Sequence, residues 1–269
     1  MIIDFHTHIF PDKIAKKTIE LLSEKGGIPP FSDGSMNGLI SKMEEAGTDV
    51  SVTLPVLTSP AQFDSVNRFA AEVNKTFADK ERRLISFAGI HPECEDIGEK
   101  MKFIKESGFL GIKLHPDYQG TFIDDEKYAE ILQYAKEYDL IVVTHAGVDG
   151  AYLGCPVRCT PERAISLIRR VPHSKLVLAH LGANEMPMQV LDTLCGEDVY
   201  FDTAYVLRFT DEATFKQMLA RHGADRILFA TDSPWSDIGG DVEIIRSFSL
   251  GKDIEEKIFC ENAKKLLGI

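Results

Sequence analysis

Positive charge is in short supply. Thirty Lys and Arg stand against 42 Asp and Glu, a formal net charge of −12. A nucleic-acid binder normally carries a basic stripe that neutralises phosphates, and the sequence shows none. The same balance argues against an anionic membrane surface as a partner. Apolar runs are short, none approaching the roughly 20 residues that span a bilayer. Cysteine is sparse: Cys94, Cys155, Cys159, Cys195 and Cys260 are odd in number and scattered. That pattern suits free thiols in a reducing cytosol, not a disulfide framework. The opening Met1-Ile2-Ile3-Asp4-Phe5-His6 puts acid and histidine where a secretory leader has a basic and then an apolar stretch, so the expected location is cytoplasmic. No low-complexity segment, internal repeat or linker interrupts the chain, and the expectation is one domain over residues 1–269. Hydrophobic residues at 44% and charged residues at 27% leave room for an ordinary packed core and exclude collagen-like, coiled-coil and wholly disordered readings.

What is present is a repeating alternation. Short β-rich runs occur at Ile2–Phe5, Asp49–Leu54, Leu84–Ile90, Leu110–Leu114, Leu140–Thr144, Lys175–Ala179, Val199–Asp202 and Ile227–Ala230. Helical spacing of apolar residues lies between them, as in Val66–Ala78, Ile97–Ile104, Tyr128–Tyr138, Ala164–Ile168 and Phe215–Ala220, and Ile254–Leu267 closes the chain. Strands alternating with helices imply a parallel sheet, since parallel neighbours need a crossover. Eight units in roughly 250 residues predict an α/β fold, a (β/α)8 TIM barrel. An open doubly wound sheet is disfavoured because no Gly-x-Gly-x-x-Gly turn follows the first strand. Two connections are long. Residues 9–48 hold Gly26-Gly27-Ile28-Pro29-Pro30 between two helical stretches, and residues 146–160 are Gly-rich with Pro156 and two cysteines. Loops of this length on a barrel often serve as lids or substrate-binding segments.

Of eight histidines, several fall at strand ends. His6 and His8 end the first predicted strand, His91 the third, His145 the fifth and His180 the sixth, while His115 follows the fourth and Asp232 the eighth. In a barrel these ends converge on one mouth, where active sites sit. His6-Thr7-His8 is the sharpest element, because residues i and i+2 of a strand point the same way and two inward imidazoles can hold one divalent ion. Alone, His-x-His is weak, since two hydrogen-bonded histidines near a strand end look the same. With His145 and Asp232 added, three neutral imidazoles and one carboxylate suit Zn²⁺, with Mn²⁺, Fe²⁺ and Co²⁺ as alternatives. His180 then reads as a general acid/base, its ordinary pKa of about 6.5 matching proton transfer near neutrality.

Asp4-Phe5-His6-Thr7-His8, Thr144-His145-Ala146-Gly147, Leu178-Ala179-His180-Leu181-Gly182 and Phe229-Ala230-Thr231-Asp232-Ser233-Pro234 resemble the amidohydrolase superfamily, in particular the branch containing aminocarboxymuconate-semialdehyde decarboxylase and related small metal-dependent hydrolases. The likeness spans the chain down to Glu261-Asn262-Ala263. It implies one divalent metal on His6, His8, His145 and Asp232, His180 as the catalytic histidine, and Asp232 as a further acceptor of the water proton. The implied activity is metal-dependent hydrolysis of a small, carboxylate-bearing molecule. Non-oxidative decarboxylation on the same scaffold is the alternative, and a metal-holding barrel without catalysis is the third reading. The chain is short for the decarboxylases of this branch, which tilts the expectation towards a hydrolase. Dimers are frequent in the family, so a homodimer is the expected assembly.

Lys113, in Gly111-Ile112-Lys113-Leu114-His115-Pro116, reads as a cation for a substrate carboxylate, with His115 beside it or capping the loop before Pro116. Binuclear amidohydrolases carry a carboxylated lysine at this strand; were Lys113 so modified, His145 and His180 would become ligands of a second ion. Arg158 is expected to be solvated, and Arg208 is a further candidate anchor for an acid. Asp4 shares a face with His6 and His8 and is expected to anchor a histidine ring. Asp202 and Tyr205 are candidates to orient a histidine or substrate, and Trp235 to form an apolar wall. His91 reads as a strand end, while His173 and His222 belong to the opposite face or the surface.

Overall fold

The computed structural model describes residues 1–80 and 82–269. Its strands are all parallel and buried, which is why they read as near-continuous apolar runs instead of alternating ones. Strands β1 (Ile3–Thr7), β2 (Val50–Thr53) and β3 (Arg83–Ser86) pair in that order. Strands β4 (Ala88–Gly89), β5 (Gly111–Leu114), β6 (Ile141–Thr144), β7 (Leu176–Leu178), β8 (Tyr200–Asp202) and β9 (Ile227–Leu228) continue the order. The two runs close into a barrel. The N–H of Phe87 donates to the Thr53 carbonyl at 3.0 Å on one side. On the other, Phe5 N–H donates to Phe229 at 2.9 Å and Asp232 N–H to His6 at 2.8 Å.

Seven of the eight predicted strands appear as single strands, six with trimmed ends and the first shifted to run on to Thr7. The third, Leu84–Ile90, divides into β3 and β4 around Phe87. Two asparagines of helix α3 (Phe63–Phe77) explain the interruption. Asn74 bonds both the N–H and the carbonyl of Ser86, and Asn67 does the same for Gly89. Side-chain amides thus take backbone groups that an unbroken ladder would use.

The connection 9–48 holds two helices, α1 (Asp12–Gly26) and α2 (Met36–Ala46), separated at the Gly-Pro breaker. Gly27 ends α1 in the left-handed region at φ 66°, and Ser35 starts α2 by accepting from Gly38 N–H. The connection 146–160 holds only one short 3-10 turn, Gly150–Tyr152. The remaining helices α4 (Ile97–Glu106), α5 (Pro116–Gln119), α6 (Glu126–Glu137), α7 (Pro161–Arg170), α8 (Pro187–Thr193), α9 (Glu212–His222) and α10 (Ile238–Ser247) cover the strands. The expected final helix is α11 (Lys252–Glu256), a π turn and α12 (Asn262–Leu267) in succession. Among the described residues no helix is long and apolar enough to cross a membrane.

Candidate metal centre and active site

The strand ends do converge. His6, His8, Lys113, His115, His145, His180 and Asp232 all border one cavity of about 520 Å³. Five of these seven belong to loops or strand termini, while Lys113 lies within β5 and His6 within β1.

Two groups each bring one ligand atom per residue within 4.8 Å of the others: His6, His8 and Asp232, and His115, His145 and Asp149. His8 Nε2 lies 3.2 Å from His6 Nε2 and 3.0 Å from Asp232 Oδ1, and His6 Nε2 is 3.4 Å from the same oxygen. The opposite ring nitrogens fix the tautomers. His8 Nδ1 is 2.8 Å from the Leu54 carbonyl, which can only accept, so Nδ1 carries the hydrogen and Nε2 a lone pair. His6 Nδ1 sits 2.9 Å from Asp202 Oδ2, and again Nε2 is left as an acceptor. Two imidazole lone pairs and a carboxylate oxygen therefore face one another with no hydrogen between them. Acceptors so arranged call for a cation, and the donor set fits a divalent ion. Lys113 Nζ, 2.9 Å from His6 Nε2, supplies positive charge at the edge of this group.

The electrostatics follow from depth. Burial first, then the charge of Lys113, holds His6 well below the usual histidine pKa, as a neutral ligand requires. Burial works against the charged form of Asp232, but the adjoining imidazoles and the Lys113 cation outweigh it and hold the carboxyl below its ordinary value. Lys113 is pushed down to about 8 by burial, against the pull of Asp232 and Asp202.

A second group adjoins the first. His145 Nδ1 meets His180 Nε2 at 3.0 Å, and the His145 ring stacks on His115 with centroids 4.2 Å apart. His180 Nδ1 is 2.9 Å from the Ala204 carbonyl, so its Nε2 is the unprotonated nitrogen. His145 Nε2 has no hydrogen-bond partner, nor has Asp117 Oδ2, 3.9 Å away, and both are buried. Of the four predicted ligands, then, three converge. His145 borders the same cavity but its nitrogens face His180 and Asp117.

Local backbone strain marks two of these positions. His180 at φ 62° and Asp232 at φ 64° occupy the left-handed region although neither is glycine. Asp202 holds the first turn in place by accepting from the His180 N–H at 2.9 Å. Gly147 has φ 87°, and a Cβ there would lie 2.1 Å from Asn184 N, so the turn after His145 can pack against the turn after His180 only as glycine.

Several expectations need correction. Asp4 anchors no histidine ring: it accepts from Thr231 Oγ1 at 2.6 Å and from the backbone N–H groups of His6 and Thr231, and so ties β1 to the turn carrying Asp232. The ring-anchoring residue is Asp202. Arg158 is only partly solvated and pairs with buried Asp117 at 3.4 Å. Arg208 lies over Tyr205 and donates to the Trp235 carbonyl at 3.0 Å, and it does not border the cavity. His115 does both things considered for it: Nδ1 accepts from the Tyr118 N–H while the ring borders the cavity. Tyr205 and Trp235 line the cavity, and His91 does not. His173 and His222 are buried, each donating Nε2–H to a carbonyl, of Leu140 and Val199 respectively. The sequence reading missed Asp149, 3.4 Å from His115 Nε2, and the cavity faces of α1 and α3. Asp149 stands four residues beyond His145 in the Gly-rich connection, where strand periodicity gives no direction to a side chain.

Comparison with known proteins speaks to the family and the fold. A family model described as Amidohydrolase matches residues 3–269. No curated protein matches the chain. Among solved structures, a dihydroxybenzoic acid decarboxylase from Polaromonas sp. JS666, with bound manganese and the inhibitor 2-nitroresorcinol, is similar with a TM-score of 0.73 at 17% identity, covering 99% of this chain and 96% of that one. A probable 2-pyrone-4,6-dicarboxylic acid hydrolase from Acinetobacter baumannii, with citric acid bound, gives 0.70 at 15% identity over 100% and 99%. An uncharacterised TIM-barrel protein from Bordetella bronchiseptica gives 0.75 at 18% identity over 99% and 98%. Likeness at this identity speaks to the fold.

Proposed function

This chain belongs to the amidohydrolase family, and from that premise we propose that it is a metal-dependent hydrolase acting on a small molecule at the barrel mouth. The observation that carries the reading is the convergence of the His6 and His8 Nε2 lone pairs on Asp232 Oδ1, with an unprotonated His180 Nε2 in the same cavity. His6, His8 and Asp232 would hold one divalent ion, while His145, the expected fourth ligand, turns its nitrogens to His180 and Asp117. An ion there supplies Lewis acidity, polarising a carbonyl and lowering the pKa of water towards about 7.

The chain's own groups do the rest. His180 Nε2 accepts the proton of the attacking water and later returns it to the leaving group, its ring held by the Nδ1–H bond to Ala204. Asp232 is a second acceptor for that proton. Asp202 fixes the His6 tautomer and the His180 backbone at once, so one carboxylate sets both the ligand and the base. Lys113 is the one cation bordering the cavity among the described residues, and it meets a substrate carboxylate or a carbonyl oxygen as negative charge builds on it. His115 lies beside it and contacts the same end of the substrate.

Decarboxylation is the second reading. The buried Lys113 cation at the centre favours it, as does similarity to decarboxylase structures. Incubating the manganese- or zinc-loaded protein with esters, lactones and aromatic acids, and measuring both acid release and CO₂, separates the two. Acid release that His180→Ala abolishes supports hydrolysis; CO₂ without acid release overturns it.

A further inference from the structure

The geometry points to a substrate with a single polar reacting head and an uncharged, apolar tail seated between α1 and α3. This rests on the hydrolase reading for the head, while the tail stands on the shape and chemistry of the cavity wall.

Two helices build that wall, each with one stripe. Ile14, Thr18 and Leu22 recur every fourth residue along α1, and Gln62, Val66 and Phe69 do so at helical spacing at the start of α3. Elsewhere on α1, Ala15 and Ile19 are the buried residues that dock the helix on the body of the protein. The stripe facing the cavity is therefore the flank of one broad apolar face, and Ile14 at its edge is 50% exposed. Ile9, Phe10, Ile28 and Val56 extend the apolar surface to the centre. The polar groups in this outer half are neutral: Thr18, Thr58, Gln62 and Ser65. Gln62 is already engaged, its Oε1 accepting from Thr58 and Ser59.

Charge is segregated accordingly. Among the described residues bordering the cavity, Lys113, Asp149 and Asp232 are the ordinarily charged side chains besides the histidines, and all lie at the inner end. No cation borders the outer end, the Lys25 ammonium lying instead over the Tyr118 and Tyr152 rings, so a second carboxylate there would lack a bordering partner. A dicarboxylate does not suit the outer half, whereas an alkyl or aryl group removes apolar wall from water. The cavity volume of about 520 Å³ exceeds what a reacting head alone fills and lies in the range of drug-sized ligand sites. The far side is closed where α1 meets the 3-10 turn, with Lys25 Nζ 3.8 Å above the Tyr152 ring.

The test uses a metal-chelating head on tails of graded length. Straight-chain alkyl hydroxamates of two to ten carbons are titrated calorimetrically into the zinc- or manganese-loaded protein. Affinity is expected to rise about threefold to fourfold per methylene until the tail fills the cavity, and then to level off. Leu22→Asp and Val66→Asp are expected to flatten the series while acetohydroxamate binds as before. A flat wild-type series with tight acetohydroxamate overturns the tail and leaves the metal centre standing. An ω-carboxyl hydroxamate binding more tightly than the alkyl one of equal length also overturns it. A chain-length dependence that persists unchanged after chelation, with fatty acids binding as well as hydroxamates, supports the tail site and removes the metal-hydrolase reading instead.

Discussion

The two histidine groups at the barrel mouth differ in what stands behind them. His6 and His8 each have the outer ring nitrogen tied to an acceptor, Asp202 in one case and the Leu54 carbonyl in the other. In the second group only His180 is tied in this way, while His145 has a buried, unpartnered Nε2 and stacks on His115. A ring fixed from behind presents one lone pair in one direction, which is what a metal ligand needs. In the second pair His145 Nδ1 instead faces His180 Nε2, and the other end of His145 is left unpartnered. Four histidines alike in sequence thus occupy different settings: three are fixed from behind, and His145 is not.

The sharpest way to break this division is to remove a member of the first group. His6→Ala or Asp232→Ala is expected to strip the metal and lower turnover by at least about a thousandfold, with both losses read from the same preparation by elemental analysis and rate. Removing the base comes next. His180→Ala should retain the ion and lose about 10²–10⁴-fold in kcat, the usual contribution of a positioned acid/base. A variant that instead sheds an ion would make the two groups alike. Asp202→Asn tests the support itself: metal affinity should fall about 10–100-fold, measured by competition with a chelator.

The smallest expected effect concerns a histidine outside both groups. Burial lowers the pKa of His222 to about 4 from an ordinary 6.5, against the favourable bond to Val199. The unfolded chain binds the proton first, so stability is full above about pH 6.5 and falls as pH drops towards 4, by up to about 1.4 kcal/mol per pH unit. His222→Gln should flatten that slope in urea melts taken from pH 7 to pH 4. An unchanged slope would assign the acid sensitivity to other groups.

Much of the fold was legible because barrel strands are buried on both faces and so announce themselves as Val/Ile/Leu runs. The exception, the break at Phe87, came from Asn67 and Asn74 on a neighbouring helix, and no pattern within the strand signals that. His6, His8 and Asp232 were legible because strand ends of a barrel meet. Asp4 and Asp202 look alike in sequence, each an acid in or at the end of a strand. Only the closure of β1 against the turn after β9 assigns Asp4 to backbone N–H groups and leaves Asp202 for the His6 ring. The cavity stripe of α1 was hidden for a different reason: Ile14 and Leu22 look like ordinary core positions next to Ile19, and helical periodicity does not say which flank of one apolar face borders a cavity.

The most direct test is metal content per chain, by elemental mass spectrometry on protein purified without chelator, for the wild type and for His180→Ala side by side. About one transition-metal ion in each is the predicted result. About two in the wild type, falling to one in His180→Ala, would contradict the division. It would make His180 a ligand and Lys113 a bridging, carboxylated side chain.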